Sequence, residues 1–167
     1  MDFQKDLISE FDSETAMTRK MLDAIPENVD WNFKPHPKSM SIGQLAGHLS
    51  DFAGDWAIST LTKDKIEMGP DSHFEPYIPK SKAELLGKFD KELASTRAAL
   101  VATTGDVWEK NWKFSWMGTV YIDGPKYKVF RGPVLNHMVH HRGQMSVFLR
   151  LMGAKVPGTY GPSADEM

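Results

Sequence analysis

The sequence predicts an all-α protein built as a bundle of four helices, and three observations lead to that fold class. Four separate segments of the 167-residue chain repeat apolar residues at spacings of three or four, the period of a helix with one buried face. Two of these segments begin with a capping box, the sequence signature of a helix start. The connections between the segments are unequal, which favours a bundle with long crossover connections over simple helical hairpins. No second-domain boundary interrupts this pattern, so we expect one domain over residues 1–167.

The first predicted helix runs from about Asp2 to Ile25 and stops before Pro26, a residue that commonly follows a helix end. Thr15 and Thr18 make the middle of its apolar stripe more polar than its ends. The two hydroxyls indicate either a position at the boundary of the core, which we favour, or a polar cavity that faces this helix.

The second predicted helix begins at Ser41 and ends near Thr62. Ser41 and Gln44 fit a capping box, with a hydroxyl at the cap and a side-chain amide three residues later. The helix contains three glycines, Gly43, Gly47 and Gly54. Each lowers helix propensity by about 1 kcal/mol relative to alanine in an exposed interior. They indicate that another backbone packs closely or that a pocket needs room.

Local signals also mark the two remaining helices. The third starts at a second capping box, Ser81 to Glu84, and Gly105 is expected to terminate it. The fourth begins around Pro133, which suits a first helical turn, and Gly153 closes it.

Two of the connections, 63–80 and 106–130, are longer than the ~12–15 residues usual in compact domains, and loops of this length often carry function. Residues 108–129 are rich in aromatic side chains. Partial alternation in 113–122 makes a short β-hairpin one interpretation, although we favour a segment that lies over one end of the bundle.

Composition excludes several classes of function. The net charge of −2 and the lack of a basic run argue against a nucleic-acid partner. No apolar run approaches the ~20 residues that span a bilayer. The N-terminus lacks the apolar core of a signal peptide, so a cytoplasmic protein is expected. The chain contains no cysteine, so any metal must be bound by nitrogen and oxygen atoms.

Histidines are the residues most indicative of chemistry. Three lie within five residues of the fourth predicted helix, His137, His140 and His141. Residues four apart share a helix face, so His137 and His141 could direct two imidazoles at one point. His48 borders the apolar stripe of the second helix. Buried imidazoles need polar partners, and three neutral imidazoles plus a water form the open tetrahedral site of zinc enzymes. We therefore predict a metal site at His48, His137 and His141.

Interpretations without a metal stay open on the residues alone. His48 could be a hydrogen-bonded core residue, and His137 and His141 could be a solvated pair on the bundle surface. The pair also lacks the glutamate of the His-Glu-x-x-His metalloprotease motif.

Five neighbouring residues are weaker candidates. Asp51 could orient an imidazole, although a solvated carboxylate is favoured. Arg142 could bind an anionic cosubstrate, although an intrachain salt bridge is favoured. Trp56 could form a pocket wall, with core packing favoured. His140 could line the pocket opening, meet a dimer partner or lie on the surface. Gly143 is expected to permit close contact between helices.

Three regions of the chain, 31–48, 135–144 and 153–163, resemble the DinB-like (damage-inducible) family of small helical-bundle proteins. The second region is similar to an HxxxHRGQ signature, and the similarity covers nearly the whole chain. The resemblance implies an up-down-down-up bundle, a homodimer, and a divalent metal bound by His48, His137 and His141. It also implies a thiol S-transferase or isomerase activity with a low-molecular-weight thiol, as in several relatives. His140 departs from the family pattern, where an acidic or other polar residue is common.

The expected chemistry follows from a metal with open positions. Such a metal could act as a Lewis acid, activate water or bind an exogenous thiolate. The last role would supply the nucleophile that a cysteine-free chain lacks. We therefore hypothesise a metal-dependent transferase that adds a small thiol to an electrophile, or a related isomerase. The alternatives are a hydrolase that uses metal-bound hydroxide and a metal-binding stress protein without catalysis. Zinc is the expected metal, although nickel, iron or manganese also suit nitrogen ligands.

Overall fold

The computed structural model describes residues 3–72 and 75–167 and is mostly helical, with a small three-stranded β-sheet. In chain order the helices are α1 (Phe3–Asp23), α2 (Ile42–Asp51), α3 (Ala57–Thr62), α4 (Lys82–Ala102), α5 (Gly105–Glu109), α6 (Lys126–Val129) and α7 (His137–Leu151). A π-helical turn joins α2 to α3 (Phe52–Trp56) and another joins α6 to α7 (Phe130–Asn136). The strands are β1 (Lys65–Met68), β2 (Asn111–Trp116) and β3 (Thr119–Pro125).

The sheet corrects the all-α prediction. Strands β2 and β3 pair antiparallel as a hairpin, which confirms the interpretation that the sequence favoured less. The turn between them passes through Met117 and Gly118, both with positive φ (50° and 79°). Strand β1 pairs parallel to β2, so the long connection after α3 also belongs to the sheet.

The capping signals predicted the start of α2 correctly. The Ser41 hydroxyl accepts from the backbone nitrogen of Gln44 at 3.1 Å, and the side-chain oxygen of Gln44 accepts from the backbone nitrogen of Ser41 at 2.9 Å. At α4 only half of the box forms. Ser81 accepts from the backbone of Glu84 at 3.1 Å, but the Glu84 carboxylate accepts from the Lys80 nitrogen instead. Gly153, with φ of 71°, follows the end of α7 as predicted.

The predicted start of the last helix is wrong. Helical structure begins at Lys126, and Pro133 lies inside the second π-helical turn rather than at a first turn. Proline has no N–H and interrupts the hydrogen bonding of a regular α-helix, so its position marks an irregular turn in this chain. Gly105 also differs from expectation, because it begins α5 after α4 has ended at Ala102.

The core lies between the long helices. Helix α1 packs against α4 and α7, and α2 packs against the same two helices. Thr15 and Thr18 are fully buried rather than at the core boundary, and each hydroxyl donates to a carbonyl one turn earlier in α1 (2.7 and 2.9 Å). Both hydroxyl donors are therefore satisfied within the helix, and the Thr18 oxygen also accepts from the Arg142 guanidinium of α7 at 3.4 Å. No helix in the two described ranges is both long and apolar enough to span a bilayer.

Two of the three glycines of the second predicted helix mark close backbone approaches, as predicted, whereas a methyl group at Gly54 would meet the Glu92 side chain. A methyl group at Gly47 would lie 1.9 Å from the carbonyl oxygen of Tyr77, and one at Gly43 would lie 2.9 Å from that of Trp31. The expectation for Gly143 is wrong, because a methyl group there would meet nothing within 4 Å. The glycines at 43 and 47 thus allow two loop segments to lie directly on α2, beside His48.

Candidate metal centre

The three predicted histidines come together between α2 and α7. The Nε2 atom of His137 lies 3.1 Å from Nε2 of His48 and 2.8 Å from Nε2 of His141. All three ligand atoms lie within 4.8 Å of one another. His137 and His141 occupy successive turns of α7, and His48 faces them from the last turns of α2. We refer to these residues as the three-histidine cluster.

Hydrogen bonds alone do not account for this arrangement. Each imidazole nitrogen carries either one proton or one lone pair. The Nε2 atom of His137 faces two other Nε2 atoms and can form a well-directed hydrogen bond with only one of them. Nitrogen ligands about 2.0–2.1 Å from a tetrahedral metal lie roughly 3.3 Å apart, close to the separations in the cluster. The cluster could therefore hold a divalent metal with little rearrangement.

Gln144 sets the orientation of one imidazole, and the sequence interpretation assigned it no role. The Gln144 side-chain oxygen accepts a hydrogen bond from Nδ1 of His141 at 2.7 Å. A proton on Nδ1 leaves Nε2 of His141 with a lone pair that points at the cluster. The spacing of three residues within one helix was the available signal, since such residues share a face.

His140 lies on the exposed side of the same helix and is not part of the cluster. The Gln144 amide nitrogen lies 3.1 Å from Nε2 of His140 and donates to it. Gln144 therefore links His140 to His141, which places His140 at the surface with an indirect contact to the cluster.

The electrostatic surroundings keep the cluster neutral. Burial, with a smaller contribution from the neighbouring imidazoles, lowers the pKa of His48 to about 3 and that of His137 to about 4. Burial also lowers the pKa of His141, although its hydrogen bond with Gln144 opposes the shift. Neutral imidazole is the form that binds metals, so the cluster is in the ligating state near pH 7.

An aromatic column extends from the cluster. Phe52 stacks on His137 with ring centroids 4.1 Å apart, and Trp56 stacks on Phe52 at 5.4 Å. Phe114 of β2 meets the Trp56 ring edge-on at 5.1 Å. Trp56 is therefore part of the wall beside the cluster, and the favoured interpretation of simple core packing is wrong.

Two cavities border the cluster. One of about 270 Å³ is lined by His48 and His137 together with aromatic residues of the column and the sheet. The other, of about 440 Å³, is lined by His141 and Gln144 and includes Lys38. The cluster is thus open to ligands from two pockets with different linings.

The charged candidates near the cluster have structural partners. Lys88 donates to the Asp51 carboxylate at 2.9 Å, so Asp51 is neither bound to an imidazole nor simply solvated. Arg142 is buried and forms a salt bridge of 2.7 Å with Glu14, which confirms the favoured intrachain pairing. Arg142 also donates to the Tyr160 hydroxyl at 2.7 Å and so connects α7 to α1 and to the C-terminal tail.

Comparisons with known proteins agree with this architecture. The model of the DinB family matches residues 1–167. The uncharacterized protein YrdA of Bacillus subtilis is 52% identical over 33 residues, which are 20% of this chain and 20% of that protein. The match therefore spans about one fifth of the relative's own length.

Three solved structures share the fold. A DinB-like protein from Bacillus cereus has a TM-score of 0.71 at 23% identity, covering 93% of this chain and 97% of its own. The DinB-like protein YjoA from Bacillus subtilis has a TM-score of 0.69 at 18% identity, with 92% and 96% covered. A protein from Exiguobacterium sibiricum assigned to the DinB family has a TM-score of 0.60 at 19% identity, with 100% and 99% covered. At these identities the likeness shows the fold alone.

Proposed function

The chain belongs to the DinB family, and from this premise we propose that it is a metal-dependent enzyme that transfers a small thiol to an electrophile or uses such a thiol in an isomerisation. His48, His137 and His141 would hold the divalent metal, with zinc as the expected ion. The observation that carries the proposal is the convergence of three Nε2 atoms at a point bordered by two cavities. When bound, the metal would supply Lewis acidity that favours the thiolate form of the cosubstrate.

The residues around the cluster support an external nucleophile. The chain has no cysteine. Among the described residues, those that line the two cavities include no aspartate or glutamate that could serve as a general base. Thiol transfer needs no such base, because a thiol ionises far more easily than water. In that reaction the sulfur forms a bond to an electrophilic carbon, the leaving group departs with the electron pair of its broken bond, and the thiol proton goes to solvent. A metal-bound hydroxide would also form without a base, but the described lining residues offer no carboxyl group to protonate the leaving group of a hydrolysed ester or amide. This favours thiol transfer over metal-dependent hydrolysis, the second candidate.

The two cavities also support catalysis over metal storage. A site that only binds an ion needs no pocket for other molecules, whereas a transferase must bind two substrates at one point. The ring stacking of Phe52 on His137 and the hydrogen bond that His141 donates to Gln144 hold two of the imidazoles in fixed orientations. Such fixed geometry is what a site for oriented substrates requires.

Metal analysis tests the first part of the proposal. Protein without a His-tag, reconstituted with zinc and desalted, is expected to retain about one equivalent, and His137→Ala to lose most of it. His36→Ala is the matched control, because His36 is exposed and outside the cluster. Less than about 0.1 equivalent in the wild-type protein, unchanged by His137→Ala, would refute the site.

Turnover assays test the second part. The zinc-loaded protein is mixed with bacillithiol, mycothiol or glutathione and 1-chloro-2,4-dinitrobenzene, and thioether formation is followed by absorbance. We expect metal-dependent turnover with at least one thiol. Full metal loading without turnover for any of them would contradict the transferase proposal and favour hydrolysis or binding alone.

The assembly and cellular setting are further parts of the proposal. We propose a homodimer with up-down-down-up bundle order in each subunit, located in the cytoplasm, as the family resemblance implies. Light scattering on the purified protein measures the mass of the assembly, and a mass near the 18.8 kDa of one chain would contradict the dimer.

A further inference from the structure

We infer that the 270 Å³ cavity beside His48 and His137 binds the aromatic or alkyl group of an uncharged substrate. The inference rests on the proposed function, because it assigns one of the two substrates to one of the two cavities. It names a chemical class for the electrophile, which the metal chemistry alone leaves open.

The lining of this cavity is almost entirely apolar. Phe52 and Trp56 of the column form one side, and the sheet supplies Phe114, Trp116 and Tyr121. Apart from His48 and His137, no residue in the lining has an ionisable side chain except the Tyr121 phenol, within the described part of the chain. A charged group placed here would lose hydration without gaining a partner of opposite charge.

The size of the cavity suits a ring. Apolar cavities of roughly 150 Å³ can hold a benzene molecule. At about 270 Å³, this one has room for a substituted ring or a short alkyl chain whose reactive end reaches the cluster. Trp56 and Phe114, which meet edge-on at 5.1 Å, are the two ring systems against which such a group would pack.

Two of the wall residues leave large apolar surfaces in water. Trp116 is 48% exposed and Tyr121 is 67% exposed, although both belong to the lining. Exposed aromatic surface grouped around a pocket is typical of a binding site, since a bound apolar group removes it from water. The hairpin therefore contributes the exposed apolar surface that a bound apolar ligand would remove from water.

The second cavity has a more polar lining than the first, which allows the two substrates to be assigned to different cavities. Its lining includes Lys38 and Gln144, a cation and an amide, beside His141. Low-molecular-weight thiols that carry carboxylates would find an ionic partner there, whereas the first cavity offers none. We therefore assign the apolar electrophile to the cavity next to His137.

Thiol binding to the cobalt-loaded protein tests this assignment, since a cobalt-thiolate bond gives a charge-transfer band in the near ultraviolet. Benzyl mercaptan, whose ring fits the apolar cavity, is expected to bind wild type about tenfold more tightly than it binds Phe114→Ala, because the substitution removes one aromatic wall. The affinity for 2-mercaptoethanesulfonate, whose sulfonate would find its ionic partner in the second cavity, should be the same in both proteins, and so should the cobalt affinity. Phe3→Ala is the matched control, because Phe3 is a partly exposed phenylalanine that contacts Trp108 and Tyr127 instead.

A second measurement separates this inference from the proposed function. Binding of 4-fluorobenzyl alcohol to the metal-free protein is followed by 19F NMR, and we expect weaker binding to Phe114→Ala than to wild type or Phe3→Ala. Tyr121→Ala is a second test in case Phe114→Ala disturbs the sheet, because Tyr121 is a more exposed wall residue. We expect it to weaken binding of the alcohol as well. Failure to bind cobalt refutes the metal site. If neither wall substitution weakens the binding of benzyl mercaptan or of the alcohol, the apolar pocket is refuted.

Discussion

Gly47→Ala is expected to destabilise the protein, because the second helix has no room for a side chain at this position. The added methyl group would lie 1.9 Å from the Tyr77 carbonyl oxygen, more than 1 Å inside an ordinary contact. Tyr77 cannot retreat freely, since its hydroxyl donates to Glu84 at 3.1 Å and the Lys88 ammonium lies 4.9 Å from its ring. Overpacking of this kind costs about 1–3 kcal/mol. The helix propensity of alanine offsets up to about 1 kcal/mol, and since a 1.9 Å approach to a backbone oxygen places the cost towards the upper end of that range, the net loss is up to about 2 kcal/mol.

Gly87→Ala provides the matched control and the means of refutation. Gly87 is exposed in α4, and a methyl group there would meet nothing within 4 Å. This change is expected to raise the free energy of unfolding by about 0.5–1 kcal/mol. Urea denaturation followed by circular dichroism should therefore give the two variants opposite signs, about 2 kcal/mol apart. If Gly47→Ala is as stable as Gly87→Ala, the segment around Tyr77 does not lie against α2 as described.

Three further predictions concern the cluster and the charges around it. Gln144→Ala is expected to weaken zinc binding about 10- to 100-fold by freeing the His141 ring, and competition with a chelator measures it; unchanged affinity would contradict that role. Arg142→Ala should destabilise the protein by about 3 kcal/mol in urea because it leaves the Glu14 carboxylate without its buried partner. Arg97→Ala, in an exposed pair, should change stability little, and equal losses would argue against a buried pair at Arg142. Burial holds the pKa of His48 near 3 and that of His137 near 4. Below about pH 6.5 the unfolded chain therefore binds protons at these two imidazoles, whereas the folded protein does not. The free energy of unfolding of the metal-free protein should therefore be highest above pH 6.5. It should fall by on the order of 1 kcal/mol per imidazole, after allowance for solvent screening, as the pH falls towards 4. A urea midpoint that does not change over this pH range would contradict the burial of the two imidazoles.

Local signals accounted for much of the helical framework. The capping box at Ser41 works through atoms three residues apart, and the glycines at 43 and 47 mark close approaches through their own lack of a side chain. The position of Pro133 misled the prediction, because the same missing N–H fits a first turn and an irregular turn within a helix. A local pattern cannot separate these two cases.

The sheet was harder to predict because its pairing is not local. Strand β1 has only four residues, and its partner β2 begins at Asn111, after the whole of α4. Four residues carry little periodicity, and parallel pairing leaves no turn signature in the sequence. The parts of the site that depend on the sheet were therefore missed as well.

The same difference between local patterns and non-local contacts holds for the three-histidine cluster. The spacing of His137 and His141 on one helix is a local pattern, and so is the place of His48 beside the apolar stripe of another helix; the resemblance to a known family implied the same three residues. The stacking of Phe52 on His137 depends instead on how two helices meet, which no spacing in the sequence expresses. Gln144 falls between these cases, since its spacing from His141 was visible but has many meanings on a helix surface.

The two π-helical turns have a consequence for how this protein compares with its relatives. A π-helical turn is what a one-residue insertion into an α-helix leaves behind, and each added residue rotates the following helix by about 100°. Phe52 begins one of these turns, and His137 directly follows the other. The stacked rings thus sit at the two points where the helices change phase. Relatives without the insertions should show single-residue gaps inside these helices rather than in loops, and their last histidine pair should face a differently placed aromatic residue.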